Sequence, residues 1–181
     1  MELILAKDIN NGISKNNSIP WKSSIDMKHF YNITSGNVVI MGKNTYFSLP
    51  IKNRPLKNRL NIVLTKNPEN YIHLNDKNTI FTNNENIEKH INELLIDSDY
   101  SELFPYLNKD FKIIIIGGKQ IYDKYINKCD KVWLTVIKND YECDLFFNYD
   151  FEINFNKKIY YDDKNITIYE CNKVKNLDLI N

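Results

Sequence analysis

Residues 13–30 read ISKNNSIPWKSSIDMKHF, and one acid among them, Asp26, is flanked by Met27 and Phe30 and follows Trp21 by five positions. Burying a carboxylate against apolar walls is costly unless a cationic or protonated group meets it, and a ligand is the simplest source of that group. The same acid completes Ser23-x-x-Asp26, a capping box for the free N–H groups of a first helical turn, where the helix dipole also favours negative charge. Both roles stay open at this point. Two other stretches could handle phosphate: Gly42-Lys43-Asn44-Thr45 follows the apolar run Val38–Met41, and Gly117-Gly118 follows four isoleucines. A strand feeding a glycine and then a helix leaves free N–H groups aimed at one spot, and glycine lets backbone approach a ligand closely. Each could equally be an ordinary strand-to-helix turn. Arg59, in a basic loop, is either a solvated charge or a planar fork for a carboxylate that lysine cannot reproduce. Thr65-Lys66 ends a further apolar run with a hydroxyl and a cation.

The elements that must position these residues follow from periodicity. The pattern predicts strands over Glu2–Ala6, Val38–Met41, Asn61–Thr65, Tyr71–Leu74, Thr79–Thr82, the isoleucine run after Lys112, Lys131–Lys138, and a closing antiparallel pair, Ile159–Asp162 with Ile166–Cys171. It predicts helices over Ser24–Thr34, stopped by Gly36, and over Asn86–Ile96, with Ile87, Ile91, Leu94 and Leu95 on one face. A short helical turn runs through Ser48, and a helix after Gly118 reaches about Asn127, with Ile121, Tyr122, Tyr125 and Ile126 inward. Lys7–Ser18 reads as a loop whose asparagines tolerate positive φ, and Asp97–Asp110 as an irregular surface excursion. Strand and helix alternate without repeats or linkers. The expectation is an α/β fold in a single domain over residues 1–181: a central, mostly parallel twisted sheet of about eight strands, an antiparallel C-terminal strand and helices on both faces. Ligands bind such sheets beyond the carboxyl ends of the strands.

Composition narrows the partners. The 181 residues, 43% hydrophobic and 13% aromatic, suit a folded globule, and a net charge of +1 gives no reason to expect nucleic acid or an anionic membrane surface. No apolar run has the length of a signal core or a membrane span. Cys129, Cys143 and Cys171 are odd in number and far apart, as in a reduced cytoplasmic chain. His29, His73 and His90 have no ligand spacing, so no metal is expected.

Taken in register, AKDINNGISKNNSIPW, the acid five residues past Trp21, VVIMGKNTYFSLP, NRPLKNRLNIVLT, IIIIGGKQIY and WLTVI resemble the dihydrofolate reductase family over essentially the whole chain. The resemblance implies reduction of 7,8-dihydrofolate with NADPH. It makes Asp26 the ionisable group of the pterin pocket, with Thr135 reaching it through a hydroxyl and Trp21 in the same catalytic set. Ile4, Leu5 and Ile116 would present backbone to the pterin, Met27, Phe30, Leu49 and Leu56 would form apolar walls, and Arg59 would hold the carboxylate of the glutamate tail. Gly42, Lys43, Asn44 and Thr45 would face the cofactor pyrophosphate, and Lys43, Thr65 and Lys66 the adenosine 2'-phosphate. Gly117-Gly118 would be the family's cis peptide, and Ala6, Ile13 and Tyr122 would contact the nicotinamide. The resemblance further implies a monomer, or one part of a fusion with thymidylate synthase.

Several positions depart from the family's commoner pattern. Ser14 stands where glycine usually does, Asn17-Ser18 replaces a Gly-Asp type pair, Tyr46 replaces tryptophan, and Asn58 replaces a glycine whose left-handed turn asparagine can keep. Fold does not imply function, so an idle folate or nucleotide binder is a competing reading. The related riboflavin-pathway reductase is another, opposed by Asp26 and Arg59.

Overall fold

Apolar, β-branched runs make the centre of the sheet. The computed structural model describes residues 1–84, 86–96 and 104–174, without the side chains of residues 94–96. In chain order its strands are β1 (Glu2–Asp8), β2 (Gly12–Ser14), β3 (Val38–Gly42), β4 (Leu60–Leu64), β5 (Thr79–Thr82), β6 (Ile113–Gly117), β7 (Lys131–Ile137), β8 (Leu145–Phe146), β9 (Phe155–Asp162) and β10 (Ile166–Lys173). Eight of these form one sheet in the order β5-β4-β3-β6-β1-β7-β10-β9. The pairings from β5 through β7 are parallel, and the last two are antiparallel.

The helices are α1 (Ser24–Thr34), α2 (Lys43–Ser48), α3 (Ile87–Ile96), α4 (Lys119–Tyr125) and α5 (Phe151–Asn154). Successive strand residues point to opposite faces. Leu3 and Leu5 therefore join Ile87, Ile91, Tyr122, Tyr125 and Leu134 in the larger core under α3 and α4. Ile4 joins Met41, Tyr46, Ile116 and Trp133 on the opposite face, where Phe30 and Ile33 of α1 pack. Both faces are thus covered, and each parallel strand is apolar on both sides.

Four expectations need correction. Tyr71–Leu74 is not a strand but the end of a 3-10 helix over Pro68–Leu74, which Pro68 starts with its preset φ. The Lys7–Ser18 loop contains β2, which pairs with β8 from the acidic turn to make a separate two-stranded sheet. The helix after Gly118 ends at Tyr125, with a 3-10 turn over Ile126–Lys128. Of the Asp97–Asp110 excursion, residues 97–103 lie outside the described residues, and Phe104 is buried in the larger core rather than on the surface. The inward placement of Leu94 and Leu95 also lies outside them. Asn11, Asn16, Asn17 and Asn58 do take positive φ.

Candidate active site

Helix α1 begins where Ser23 Oγ accepts a hydrogen bond from the Asp26 amide at 3.2 Å. That is one half of a capping box. The Asp26 carboxylate itself faces β7, toward Thr135, and Trp21. Burial pushes its pKa above the ordinary aspartate value, and the Thr135 hydroxyl and Trp21 indole, with their positive ends toward it, pull part of the way back. Trp21 Nε1 is buried short of a closed hydrogen bond. Thr135 is 1% exposed, and its register partner on β1 is Ala6, so the floor beneath the acid is two adjacent strands.

Beside this floor lies Tyr122 of α4. Its hydroxyl is 3.0 Å from the carbonyl oxygens of both Ile4 and Ile116, one proton shared between two acceptors. Burial first, and then the Asp26 charge, push that hydroxyl's pKa up. Leu5 and Ile13 turn their side chains into the larger core. Met27 is 56% exposed on α1, while Phe30 and Leu49 are half-buried and Leu56 buried.

Arg59 is 4% exposed, so it is no solvated charge. Its Nε donates to Thr34 Oγ1 at 2.8 Å and one terminal nitrogen donates to the Lys57 carbonyl at 2.6 Å. The guanidinium lies over the rings of Phe30 and Tyr31, 5.8 and 5.1 Å from their centroids. Burial lowers its pKa, a sign of a cation held away from water. The loop that carries it is tied down by Asn61 of β4. The Asn61 side chain accepts from Leu56 N and donates to the carbonyls of Leu56, Arg59 and Asn78, all within 2.9–3.1 Å. Sequence reasoning misses Thr34 and Asn61 as positioning residues. The available signal is a lone asparagine in the apolar run LNIVL.

The glycine turns lie side by side because β3 pairs with β6, with Met41 in register with Gly117. The Gly117-Gly118 peptide is cis. A Cβ on Gly118 would fall 3.0 Å from Thr45 Oγ1, and one on Gly42 would fall 3.2 Å from Ile121. Packing of the chain itself therefore leaves little room for a side chain at either turn, where β3 and β6 end. Thr65 follows β4 and Lys66 is exposed just beyond. Lys43 extends over the Tyr71 ring, 5.8 Å from its centroid. These cations stand on the same carboxyl edge of the sheet as the glycines, the edge where α/β sheets bind ligands.

The segment between β1 and α1 is pinned by a buried acid. Asp8 Oδ1 accepts from Asn10 N and Gly12 N, and Oδ2 from Tyr141 N. Burial alone would raise the Asp8 pKa, but these N–H groups together hold it below the ordinary range. Further along, Asn16 N donates to Asp144 at 2.7 Å and Lys15 pairs with Glu142 at 3.0 Å. From sequence Asp8 is only a turn residue, since its partners lie up to 133 positions away.

A family model described as Dihydrofolate reductase matches residues 1–176. The chain belongs to the dihydrofolate reductase family. Among relatives, dihydrofolate reductase of Ureaplasma parvum is 33% identical over 179 residues, covering 97% of this chain and 99% of that protein. That of Pneumocystis carinii is 35% identical over 159 residues, 81% of this chain and 73% of that one. A match also falls within a longer protein, the bifunctional dihydrofolate reductase-thymidylate synthase of Daucus carota, 36% identical over 159 residues but covering 27% of it. As a dihydrofolate reductase the chain reduces dihydrofolate to tetrahydrofolate with a nicotinamide cofactor. The side-chain-free backbone at Gly42 and Gly118, two adjacent turns on the carboxyl edge of the sheet, fits such a cofactor.

Proposed function

We propose that the chain reduces 7,8-dihydrofolate with NADPH, binding the pterin against Asp26 and the glutamate tail at Arg59. What carries the reading is the half-buried Asp26 carboxylate, its pKa raised by burial, set against Thr135 and Trp21 between apolar walls. Its oxygens accept hydrogen bonds from the pterin's N3 and 2-amino group, with Thr135 as a second anchor. The tail carboxylate meets the fork of Arg59, which Thr34 and the Lys57 carbonyl already hold in one orientation. Met27 loses its exposure when the flat ring covers it.

Gly42, Lys43, Asn44, Thr45, Gly117 and Gly118, on the carboxyl edge of the sheet, would hold the cofactor's pyrophosphate. Lys43, Lys66 and Thr65 would hold a 2'-phosphate, which would favour NADPH over NADH by simple charge attraction. When bound, the reduced nicotinamide supplies the hydride. Ala6, Ile13 and Tyr122 would set its orientation, which is much of what a protein contributes to such a transfer. Asp26 raises proton affinity in the pterin through its field, so that N5 takes up a proton from water and C6 becomes electrophilic. Asp26 itself stays on the far edge of the ring.

The reading places one domain, a monomer or part of a fusion, in the cytoplasm. Three buried, free cysteines support that placement. Among the described residues no helix is long and apolar enough to cross a membrane. The test is NADPH oxidation with dihydrofolate, with and without methotrexate. Methotrexate-sensitive turnover is expected. Binding of methotrexate without turnover would instead mark an idle folate binder.

A further inference from the structure

On the face of the sheet away from Asp26, a cavity of about 520 Å³ opens between β1, β7, β9, β10 and residues 148–152. That volume lies within the range of small-molecule sites. Leu134 and Val136 line its apolar part, and the rings of Tyr149, Phe151 and Tyr169 form walls. Lys7 and Lys157 line it too, and so do two acids, Asp150 and Glu152.

Lys7 is out of character for its place. It follows Leu3 and Leu5 at alternate positions of β1, so it points to the same face as the larger core. It is half-buried, and burial, then the charge of Lys157, holds its ammonium below the ordinary lysine range. Its Nζ donates to Asn11 Oδ1 at 2.5 Å and lies 5.4 Å from the Phe151 ring centroid. Among the described residues no carboxylate forms an ion pair with it. The acids nearby are engaged elsewhere: Glu152 pairs with Lys157, Asp150 caps α5 through Glu152 N and Ile153 N, and Asp8 accepts three backbone N–H groups. Lys157 lies 4.8 Å from the Tyr169 centroid. Two cations laid over aromatic faces in one cavity, one of them half-buried, feeling Glu152 and Asp8 only at a distance and making no direct ion pair among the described residues, match a ligand that brings both a ring and an anionic group.

We propose that this cavity is a second small-molecule site, taking a flat aromatic ring that carries one carboxylate, with the carboxylate between Lys7 and Lys157 and the ring against Phe151 and Tyr149. The site shares no residue with the proposed active site.

The test is calorimetric titration of the full chain with 2-naphthoate after methotrexate and NADPH have been added to saturation. The preceding methotrexate titration reports separately on the active-site reading. One-to-one binding is expected, weakened about tenfold or more by Lys7→Met and by Lys157→Met, the scale of a lost charge-assisted hydrogen bond. The neutral analogue 2-naphthylmethanol should bind at least tenfold more weakly than the acid. Circular dichroism checks the fold of each variant, and if Lys7→Met does not fold, Lys157→Met decides. No saturable binding to the parent chain, equal affinity in the folded variants, or equal affinity for the neutral analogue would each overturn the proposal.

Discussion

The proposed pterin region around Asp26 and Arg59 and the proposed cofactor region along the glycine turns are built in different ways. Around Asp26 and Arg59 the polar groups are sunk among apolar side chains and held by other buried groups: Thr34 and Asn61 behind Arg59, Thr135 and Trp21 beside Asp26. Along the glycine turns the charged groups stand on the surface, with Lys66 exposed beyond β4 and Lys43 leaning on a ring. A buried polar group is set in place before a ligand arrives, and its removal leaves partners unsatisfied. An exposed cation acts through a screened field and is replaceable at small cost.

The first way to break this contrast is Asp26→Asn, for which the largest effect is expected. Turnover with dihydrofolate should fall roughly 10²–10⁴-fold at neutral pH, the scale of a lost acid-base contribution, and recover part of its rate in acid, where solvent pre-protonates the substrate. Full activity at neutral pH would falsify the role of the acid. Stability should move the other way. Because the folded pKa of Asp26 is raised above 3.8, the folded chain holds that proton more tightly than the unfolded chain. The associated stability is complete below the unfolded pKa and is lost as pH rises through the folded one. The amide introduced by Asp26→Asn never ionises, so the variant should melt above the parent at neutral pH, with the gap closing toward acid. A lower melting temperature at neutral pH would mean that the carboxylate stabilises its surroundings.

Next in size is Arg59→Lys. Loss of the fork should raise KM for dihydrofolate about tenfold or more, as expected for charge-assisted hydrogen bonds, while NADPH affinity stays as it was. Equal losses for both ligands would place the clamp elsewhere. Lys66→Ala tests the exposed half. One screened charge contributes about 1 kcal/mol, so the preference for NADPH over NADH should narrow about fivefold, with no change in melting temperature. An unchanged ratio would remove Lys66 from the phosphate site.

The smallest effect is expected for Ser14→Gly. Ser14 takes no positive φ, its hydroxyl donates to the Ser18 carbonyl, and its own carbonyl receives Asp144 N. Glycine would keep the backbone bond and lose only an exposed side-chain contact, so kcat should change less than about twofold, within the range of ordinary surface substitutions. A large gain in kcat would show that the serine restrains the loop.

Legibility followed the range of the interactions. The parallel strands and α1 were readable because periodicity is local, and their observed bounds differ from the expected ones by at most two residues at either end. Tyr71–Leu74 misled because a β-prone run carries no mark of whether a sheet edge is free to receive it, whereas Pro68 and Glu69 upstream suit a helical start. Strands β2 and β8 are three and two residues long, too short to show alternation. Asp8, Thr34 and Asn61 escaped notice because their importance lies in partners brought by other segments.

By itself the sequence determined the fold class, the family and the identity of the acid and arginine that stand out chemically, because apolar periodicity and ordered motifs are properties of neighbouring residues. Tertiary structure alone decided how deeply Asp26 is buried, that Arg59 is held by Thr34 and by a loop laced to Asn61, and that Lys7 lines a cavity beside Lys157. Those outcomes depend on which side chains from distant segments meet in a low-dielectric interior. Burial and field there are set by packing in three dimensions, which spacing along the chain does not contain.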